Sequence, residues 1–393
     1  MPKHKSILIF GVGTLQQSII QRAKQMGLYT VGIDPLEDAA CREEVDAYEV
    51  VGGQDFEGTC AVVEKYGIDG IVTSATDKPL VMMARIAEKY GFPFYSVETA
   101  QWSTDKFQMK QRFLEGGIPC AKGRLVKTAS EVNDFEFPVI VKPRDNSGSR
   151  GVKLCRTHIE LEDAIAEALP YSHLDTVLVE EYIEGEEYSI ESLHHNGKHE
   201  VIQFTEKKTT PFPYNVELGH IQPADITKEN KEKIRKIISQ IGLILRFENC
   251  PSHTELKINK RGIFVIETSP RLGGDYITSQ LVPLSTGLNI EDMVLNMALR
   301  EPFDVLKLKP LLSGVRFFSF QEGKCIQSIP SASDILKRPG VVDFSFSLEK
   351  GQAIPKITSS LDRYGHITIQ AKDRETLDCL FEQYYTELEA SVF

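Results

Sequence analysis

The chain has 393 residues, of which 26% are charged, and it carries a formal net charge of -11 at pH 7. This length predicts two or three domains, each with enough residues for a sizeable core. The acidic balance argues against nucleic acid as a main partner, because binding a phosphate backbone needs an extended basic face, whereas small anions remain possible ligands.

Cysteine usage and hydropathy indicate a cytoplasmic protein without membrane association. The seven cysteines are scattered, odd in number and without a C-x-x-C pair, which is typical of reduced thiols. No apolar run approaches the ~20 residues that a membrane helix requires, and Met1 to Lys5 leads directly into a strand without a secretory signal. His194 and His195 lie in a polar, glycine-containing stretch that predicts a hairpin tip, and the sequence indicates no zinc site.

The first hundred residues alternate short apolar runs with helical patterns. The patterns predict strands at residues 7–10, 30–33 and 70–72, and helices near residues 15–26 and 79–90. Such alternation is typical of a parallel sheet covered by helices.

The turn after the first predicted strand has part of a dinucleotide-binding pattern. Gly11 and Gly13 follow that strand, and Asp34 ends the second one. The third glycine of G-x-G-x-x-G is replaced by Gln16, so the close approach of a pyrophosphate is not supported. We therefore expect an architectural nucleotide-fold domain, with a nicotinamide oxidoreductase as a minor alternative.

A second block begins near Ser103 with a basic helix that contains Asp105, Lys106 and Lys110. Residues 137–143 and 151–155 are predicted strands, and the loop between them is rich in glycine and serine, so its backbone amides could wrap a phosphate. It is not a Walker A loop, because it joins strand to strand, and an ordinary flexible hairpin is the alternative. Lys142, a charge at the end of an apolar strand, favours the phosphate interpretation.

Residues 176–191 predict two strands with a break at Gly185, and residues 228–245 predict a helix. Residues 254–267 then read as a hairpin of two alternating strands around a three-residue turn, with a left-handed Gly262. Placing Asn259 opposite Ile263 puts Glu255 directly across from Glu267.

The predicted hairpin has an apolar face and an acidic one. Leu256, Ile258, Phe264 and Ile266 would form the core face. Because facing carboxylates repel each other, something positive is expected between them, and Mg²⁺ with bound phosphates suits such oxygen ligands. An exposed hairpin whose glutamates face water is the alternative.

A glycine-rich turn with Arg271, Gly273 and Gly274 follows the hairpin. Further strands are predicted at residues 317–320, 343–346 and 365–369, with a closing helix near residues 374–388.

Taken in order, these motifs resemble the ATP-grasp superfamily over most of the chain. The resemblance implies an α/β ATP-grasp fold in three parts. A Rossmann-like pre-ATP-grasp domain would cover residues 1–102, and an ATP-grasp domain residues 103–300, with a mobile lid subdomain at about 120–182. A C-terminal α+β lobe would cover residues 301–393.

The resemblance also implies roles for individual residues. The ligands of the ATP phosphates would be Lys106, Lys142 and the loop residues Ser147, Gly148, Ser149 and Gly151. Glu180, Glu181, Tyr182 and Ile183 would form the hinge that recognises adenine, and Glu187 would contact the ribose. Glu255 and Glu267 would bind Mg²⁺, which Mn²⁺ could replace, and Arg271 and Lys142 would be catalytic.

Within the superfamily, the segments around His253 and Arg271 look like those of the amino-acid ligases of the bacilysin-synthetase type. The family commonly has Asn as a further metal ligand where this chain has Ser269, which leaves the third ligand open. The resemblance implies that His253, Gly273, Gly274 and His220 contact the substrate. Ligases of this build are often dimers, so a homodimer is a possible oligomeric state.

The implied reaction joins a carboxylate and an amine, both amino-acid-like, through an acyl phosphate, with release of ADP and phosphate. Two alternatives keep a nucleotide site. One is a purine-biosynthesis or carboxylase-like enzyme that activates bicarbonate or formate, and the other is a nucleotide-binding protein without turnover. For the last lobe, a structural cover and a role in specificity both remain open.

Overall fold

The structure is a computed structural model, and it describes residues 5–146, 148, 150–305 and 311–393. The strands are β1 Ser6–Phe10, β2 Tyr29–Asp34, β3 Ala47–Val50, β4 Gly70–Val72, β5 Gly123–Val126, β6 Val139–Pro143, β7 Lys153–Cys155, β8 Val177–Glu181, β9 Glu186–His195, β10 Lys198–Thr209, β11 Glu217–Gln222, β12 Cys250–Asn259, β13 Gly262–Ser269, β14 Leu312–Phe317, β15 Val341–Phe346 and β16 Gly365–Ala371.

The α-helices are α1 Gln17–Gln25, α2 Phe56–Tyr66, α3 Leu80–Tyr90, α4 Val97–Thr104, α5 Lys106–Glu115, α6 His158–Ala168, α7 Lys228–Ile244, α8 Val282–Thr286, α9 Ile290–Ala298, α10 Ala332–Ile335 and α11 Arg374–Val392. A short π-helix, Ile277–Leu281, precedes α8. In the described residues, no helix is both long enough and apolar enough to cross a membrane.

The N-terminal part is a parallel sheet in the order β3-β2-β1-β4. All five residues of β1 are buried, as expected for a central parallel strand covered on both faces. The predicted alternation of strands and helices is confirmed here, and β3 and α2 are additional elements of the same pattern.

The turn after β1 is held by its own side chains. The Asp34 carboxylate accepts a hydrogen bond from the Val12 N–H at 3.0 Å. Gln16 accepts one from the Gly13 N–H at 3.2 Å and donates one to the Ser74 carbonyl at 2.6 Å. The residue that replaces the third glycine therefore ties this turn to the loop after β4.

A small antiparallel sheet has the order β5-β8-β6-β7, and α6 packs against it. Its strands lie within the range predicted for the lid subdomain. The loop between β6 and β7 carries the glycine and serine residues, and of these Ser147 and Ser149 lie outside the described residues.

The largest sheet has eight strands in the order β13-β12-β9-β10-β11-β14-β16-β15. It continues across the domain boundary predicted at residue 300, because β11 pairs antiparallel with β14. The C-terminal lobe is thus an extension of the central sheet, covered by α11. One predicted strand was misplaced: β14 ends at Phe317. The residues that follow it lie outside the sheet, with Phe318 and Phe320 buried and Ser319 exposed.

Candidate functional site

A cavity of about 1250 Å³ lies between the N-terminal sheet, the small antiparallel sheet and the eight-stranded sheet. Its lining includes these residues predicted from the sequence: Lys106, Lys142, Gly148, Glu180, Glu181, Tyr182, Ile183, Glu187, His220, His253, Glu255, Glu267, Arg271, Gly273 and Gly274. Gly151, another predicted residue, is not part of this lining, and a Cβ at its position would meet Pro143 and Tyr171 at about 3 Å. Folding thus brings residues from two sheets, and from loops and helices of the N-terminal part, to one cavity.

Glu255 and Glu267 face each other across β12 and β13, as predicted. The route to this register differs from the prediction. Asn259 pairs with Gly262 around a two-residue turn, and a β-bulge after Glu255 supplies the missing residue. Gly262 has a φ of +138°, a region that favours glycine.

The shifted register changes which side chains of β13 are in the core. Ile263 and Val265 are buried beside Leu256, with Ile258 packed against them. Phe264 and Ile266, which were predicted to be core residues, are only partly buried, and Ile266 lines the cavity. A one-residue slip exchanges the faces of a strand, which explains this error.

Positive groups surround the two glutamates, as expected for facing carboxylates. Lys207 Nζ lies 3.0 Å from Glu255 Oε1, and His253 Nε2 lies 3.5 Å from the same oxygen. Lys106 Nζ lies 3.5 Å from Glu267 Oε2. Burial by itself would raise the pKa of Glu255, but Lys207 and His253 hold it well below its usual value. Glu255 is therefore an anion on the cavity wall.

The pair of glutamates fits a magnesium ion bound to phosphates. Their side chains are 25% and 32% exposed, so both carboxylates remain accessible from the cavity. Among the described residues there is no cluster of three or more His, Cys, Asp or Glu side chains that could hold a metal ion alone. Mg²⁺ typically takes one or two carboxylates and completes its shell with water and substrate phosphates, which matches two glutamates.

Lys142 belongs to a buried group of three charges. Its Nζ lies 2.6 Å from Glu180 Oε1, and Lys110 Nζ lies 2.9 Å from Glu180 Oε2. Burial would raise the pKa of Glu180, but the two lysines hold it below its usual value. Two cations share one anion, so this cluster contributes a net positive charge beside the cavity.

Lys110 is one of the functional candidates that sequence reasoning did not include in the site. It is 2% exposed and also donates a hydrogen bond to the Ile266 carbonyl at 3.2 Å. The sequence placed it in the basic helix, but only the fold shows that it shares Glu180 with Lys142. The side chain of Glu180 is occupied by the two lysines, and its backbone lies within the pairing of β8 with β5 and β6, so its contact with adenine stays a prediction.

Aromatic rings and a glutamate line the neighbouring end of the cavity. Tyr182 meets Phe212 edge to face, with ring centroids 5.3 Å apart. Glu187 Oε1 accepts a hydrogen bond from Asn215 Nδ2 at 3.0 Å and pairs with Lys257 Nζ at 3.0 Å. This end combines a ring surface with fixed polar groups, an arrangement suited to a base and a sugar.

The loop after β6 is tied to the start of α5. Asp105 caps that helix and forms an ion pair with Arg144, and Lys106 Nζ donates a hydrogen bond to the Asn146 carbonyl at 2.6 Å. Lys106 thereby links this loop to Glu267. A loop that opened would release Lys106 from one of its two partners.

Arg271 is held by Asp77, a residue of the N-terminal part that the sequence analysis missed. Arg271 Nε donates to Asp77 Oδ1 at 3.1 Å, and the Ser269 hydroxyl donates to the same oxygen at 2.5 Å. Burial would raise the pKa of Asp77, but Arg271 and Ser269 hold it below its usual value. The Ser269 hydroxyl thus binds Asp77, which accounts for a serine at this position.

His253 pairs with a buried glutamate beneath the glycine-rich turn. Its Nδ1 lies 2.6 Å from Glu191 Oε1, and Glu191 is 1% exposed. A Cβ at Gly273 would lie 2.7 Å from His253 Nδ1 and 2.9 Å from Glu191 Oε2. Glycine is required at this position because the turn lies directly against the His253–Glu191 pair.

This pair predicts a pH-dependent stability. Burial lowers the pKa of His253, but Glu191 outweighs it and raises the pKa to about 9. A histidine whose pKa is raised on folding stabilises the folded protein. This stabilisation is complete below the unfolded pKa of about 6.5 and is lost as the pH rises through about 9. In the absence of divalent cations, the parent should have a higher free energy of unfolding than His253→Gln. We expect this difference between the two proteins to be larger at pH 6 than at pH 10, by on the order of 3 kcal/mol. Urea unfolding at both pH values measures this, and a pH-independent difference would contradict it.

The far end of the cavity is walled by the C-terminal lobe. His220 Nε2 lies 3.4 Å from Asp275 Oδ2, and Arg363 forms two hydrogen bonds with the same carboxylate. Tyr276 stacks on His366, with ring centroids 4.2 Å apart. His220 therefore reaches the cavity as predicted, but its described partner is Asp275.

Three of the residues missed by the sequence analysis, Lys110, Glu191 and Lys207, have charged side chains that are almost fully buried. Lys207 is 3% exposed in its side chain and sits between Glu255 and Glu217. Glu191 lies in a strand whose residues are mostly buried. A charge inside such a strand was the available signal, since buried charges need partners. Lys207 is flanked by Glu206 and Lys208, which are not buried, so its surroundings gave no such signal.

Comparisons with known proteins identify the families and folds that this chain resembles. Residues 135–279 match the ATP-grasp domain family, and residues 316–392 match the L-amino acid ligase C-terminal domain 2. The alanine–anticapsin ligase of Bacillus subtilis (strain 168) is 28% identical over 240 residues, which cover 54% of this chain and 50% of the ligase. This chain thus matches about half the length of that relative.

A second relative is similar over most of both chains. The formate-dependent phosphoribosylglycinamide formyltransferase of Bacillus subtilis (strain 168) is 24% identical and covers 91% of this chain and 88% of its own length. Among solved structures, the L-amino acid ligase from Bacillus licheniformis has a TM-score of 0.83 at 21% identity and covers 100% of this chain and 98% of its own. That likeness shows a shared fold.

Proposed function

Because the chain is an ATP-dependent carbon–nitrogen ligase of the ATP-grasp superfamily and carries the C-terminal domain of L-amino acid ligases, we propose that it joins two amino-acid-like substrates through an amide bond. The observation that carries the proposal is a continuous cavity of about 1250 Å³, which runs from the ring surface at Tyr182 to the glycine-rich turn at Gly273. This exceeds the ~300–1,000 Å³ of typical ligand sites and leaves room for a nucleotide and two small molecules.

In the proposed complex, ATP lies along the cavity with its base near Tyr182 and its ribose near Glu187. Lys106 and Lys142 then face the phosphates as compact positive charges. Glu255 and Glu267 would hold magnesium between them and the terminal phosphates. When bound, the ion would supply positive charge that offsets the repulsion between an anionic carboxylate and an anionic phosphate.

The carboxylate of the first substrate attacks the γ-phosphorus, the bond to the β-phosphate oxygen breaks, and ADP leaves. Such transfers depend on positioned charges more than on covalent help from the protein. Arg271 lies on the same wall as Glu267 and can donate two parallel hydrogen bonds to the moving phosphoryl group. Its Asp77 partner fixes the guanidinium plane before the substrate arrives.

An amine then attacks the acyl carbon, phosphate leaves, and the nitrogen loses a proton to form the amide. The acyl phosphate hydrolyses if water reaches it, so the loop after β6 must cover the site during turnover. The hydrogen bond from Lys106 to the Asn146 carbonyl and the position of Asn146 in the cavity lining support this role. The glycine-rich turn and His253 lie where the substrates would be bound.

We expect ADP formation that depends on amino acids. Purified protein with ATP and Mg²⁺ would be tested against single L-amino acids and pairs, with ADP and phosphate measured by coupled assay and the product by mass spectrometry. Typical ligase-scale rates of about 1–10³ s⁻¹ are expected for the correct pair, far above the rate with ATP alone. A product with the summed mass of two substrates minus water would identify the pair.

The similarity to a formate-dependent enzyme supports a second candidate, an enzyme that activates formate or bicarbonate. The same assay separates the two. ADP formation stimulated by formate or bicarbonate and unaffected by amino acids would favour that candidate, whereas nucleotide binding without any ADP formation would indicate a protein without turnover.

A further inference from the structure

The C-terminal lobe contacts the proposed substrate turn through Arg363, next to the stack of Tyr276 on His366. Arg363 Nη1 and Nη2 donate to the two oxygens of Asp275 at 2.7 and 2.6 Å. The guanidinium also lies 3.8 Å from the centroid of the Phe317 ring and donates to the Glu217 carbonyl at 3.4 Å. Its side chain is only 12% exposed. A bidentate pair fixed on three sides constrains both partners geometrically.

Asp275 and Tyr276 have an unusual backbone. Their φ angles are +52° and +63°, a left-handed region that is unfavourable for residues other than glycine. Two such residues in succession persist only when their surroundings fix them. They follow Gly273 and Gly274 directly, so their conformation sets the direction in which the turn leaves the cavity wall.

The turn is otherwise held by few contacts. The Thr278 hydroxyl donates to the Gly273 carbonyl at 2.6 Å, and the Ile277 N–H donates to the Gly274 carbonyl at 2.9 Å. Both of these donors belong to the π-helix that begins immediately after Tyr276. Asp275, in contrast, is bound by Arg363 of the C-terminal lobe.

We propose that Arg363 is a positioning residue that acts through Asp275 to hold the Gly273–Gly274 turn in the shape that binds an amino-acid substrate. The inference rests on the proposed function and assigns the C-terminal lobe a role in substrate affinity beyond covering the site. ATP binding would be unaffected, because Tyr182 follows β8, Lys142 lies on β6, and neither side chain forms a hydrogen bond or ion pair with Arg363 in the described part of the chain.

Arg363→Lys and Arg363→Gln in the full chain test this proposal. A displaced turn should raise the KM for the amino-acid substrates by about 10-fold or more, since displacements near 1 Å cost up to about 10²-fold. The KM for ATP should stay within about twofold. Lysine preserves the charge but not the paired hydrogen bonds, so Arg363→Lys should show the effect even if Arg363→Gln folds poorly.

Arg316 provides a matched control. It lies on β14 of the same lobe, pairs with Glu382 at 2.7 Å and stacks over Tyr385, and it is not part of the cavity lining. Arg316→Gln should leave both KM values unchanged. The double variant Asp275→Asn/Arg363→Gln should be no worse than either single variant, because the two residues act as one unit.

Three results would overturn the inference. The first is an unchanged amino-acid KM in both Arg363 variants, and the second is an equal rise in the KM for ATP, which would indicate a general structural role. The third is additivity of the Asp275 and Arg363 effects. If the parent forms no ADP in response to amino acids, the proposed function fails and the inference fails with it; an amino-acid-dependent parent with unaltered variants removes the inference alone.

Discussion

Replacing Glu267 with glutamine is expected to lower ADP formation at saturating ATP and Mg²⁺ by about 10²- to 10³-fold. Glutamine keeps the size of the side chain but removes the negative charge that would hold the metal ion opposite Glu255. The site would then bind the divalent cation more weakly, and the phosphates would lose part of their counter-charge. Initial rates measured across a Mg²⁺ titration check this, and Mn²⁺ should support the parent enzyme as well.

The fold should survive this change. Glu267 is 32% exposed, and its charged neighbour Lys106 keeps the Asn146 carbonyl as a partner. Glu200, an exposed residue of β10 outside the cavity lining, offers a control, and Glu200→Gln should have the parent rate. A Glu267→Gln enzyme with the parent rate and Mg²⁺ dependence would show that the two facing carboxylates do not hold the metal.

Lys142→Met is expected to have the second large effect, a loss of about 10²-fold or more in kcat/KM for ATP. The variant removes a cation from the cavity wall where the phosphates would lie. Glu180 would still be paired with Lys110, so no buried carboxylate is left without a partner. Nucleotide titration and steady-state kinetics together would separate weaker binding from slower phosphoryl transfer.

Lys110→Met is the matched comparison for this experiment. It removes the other lysine from the same carboxylate and leaves Glu180 paired with Lys142. Both variants therefore exchange a net positive cluster for a neutral pair, but only Lys142 lines the cavity. We expect Lys110→Met to retain most of its activity. Equal losses in the two variants would indicate that the charge of the cluster matters and that the position of Lys142 does not.

Several features of the fold were predictable from local sequence patterns. The strands and helices of the N-terminal part follow from apolar runs and helical periodicity, and α7 follows from its buried isoleucines. The pairing of Glu255 with Glu267 was also correct, although the assumed turn was one residue too long. The bulge after Glu255 compensated for that error, and no local pattern indicated it.

The sequence by itself determined the order and spacing of the motifs from Lys106 to Arg271. These residues lie on short segments whose local structure depends on residues close to them in the chain. It also determined the family resemblance, and the ATP-grasp domain match confirms it. The roles of the individual residues remain proposals that the variants above will test.

Only the tertiary structure decided which charges meet. Asp77 reaches Arg271 across nearly two hundred residues, Arg363 reaches Asp275 from the last lobe, and Lys207 on β10 reaches Glu255 on β12 across the intervening strand β9. Strand pairing between β11 and β14 likewise joins two parts that the sequence had separated. Such partners are set by the packing of whole sheets and by the need of each buried charge for an opposite one. The periodicity of a single segment contains no information about either.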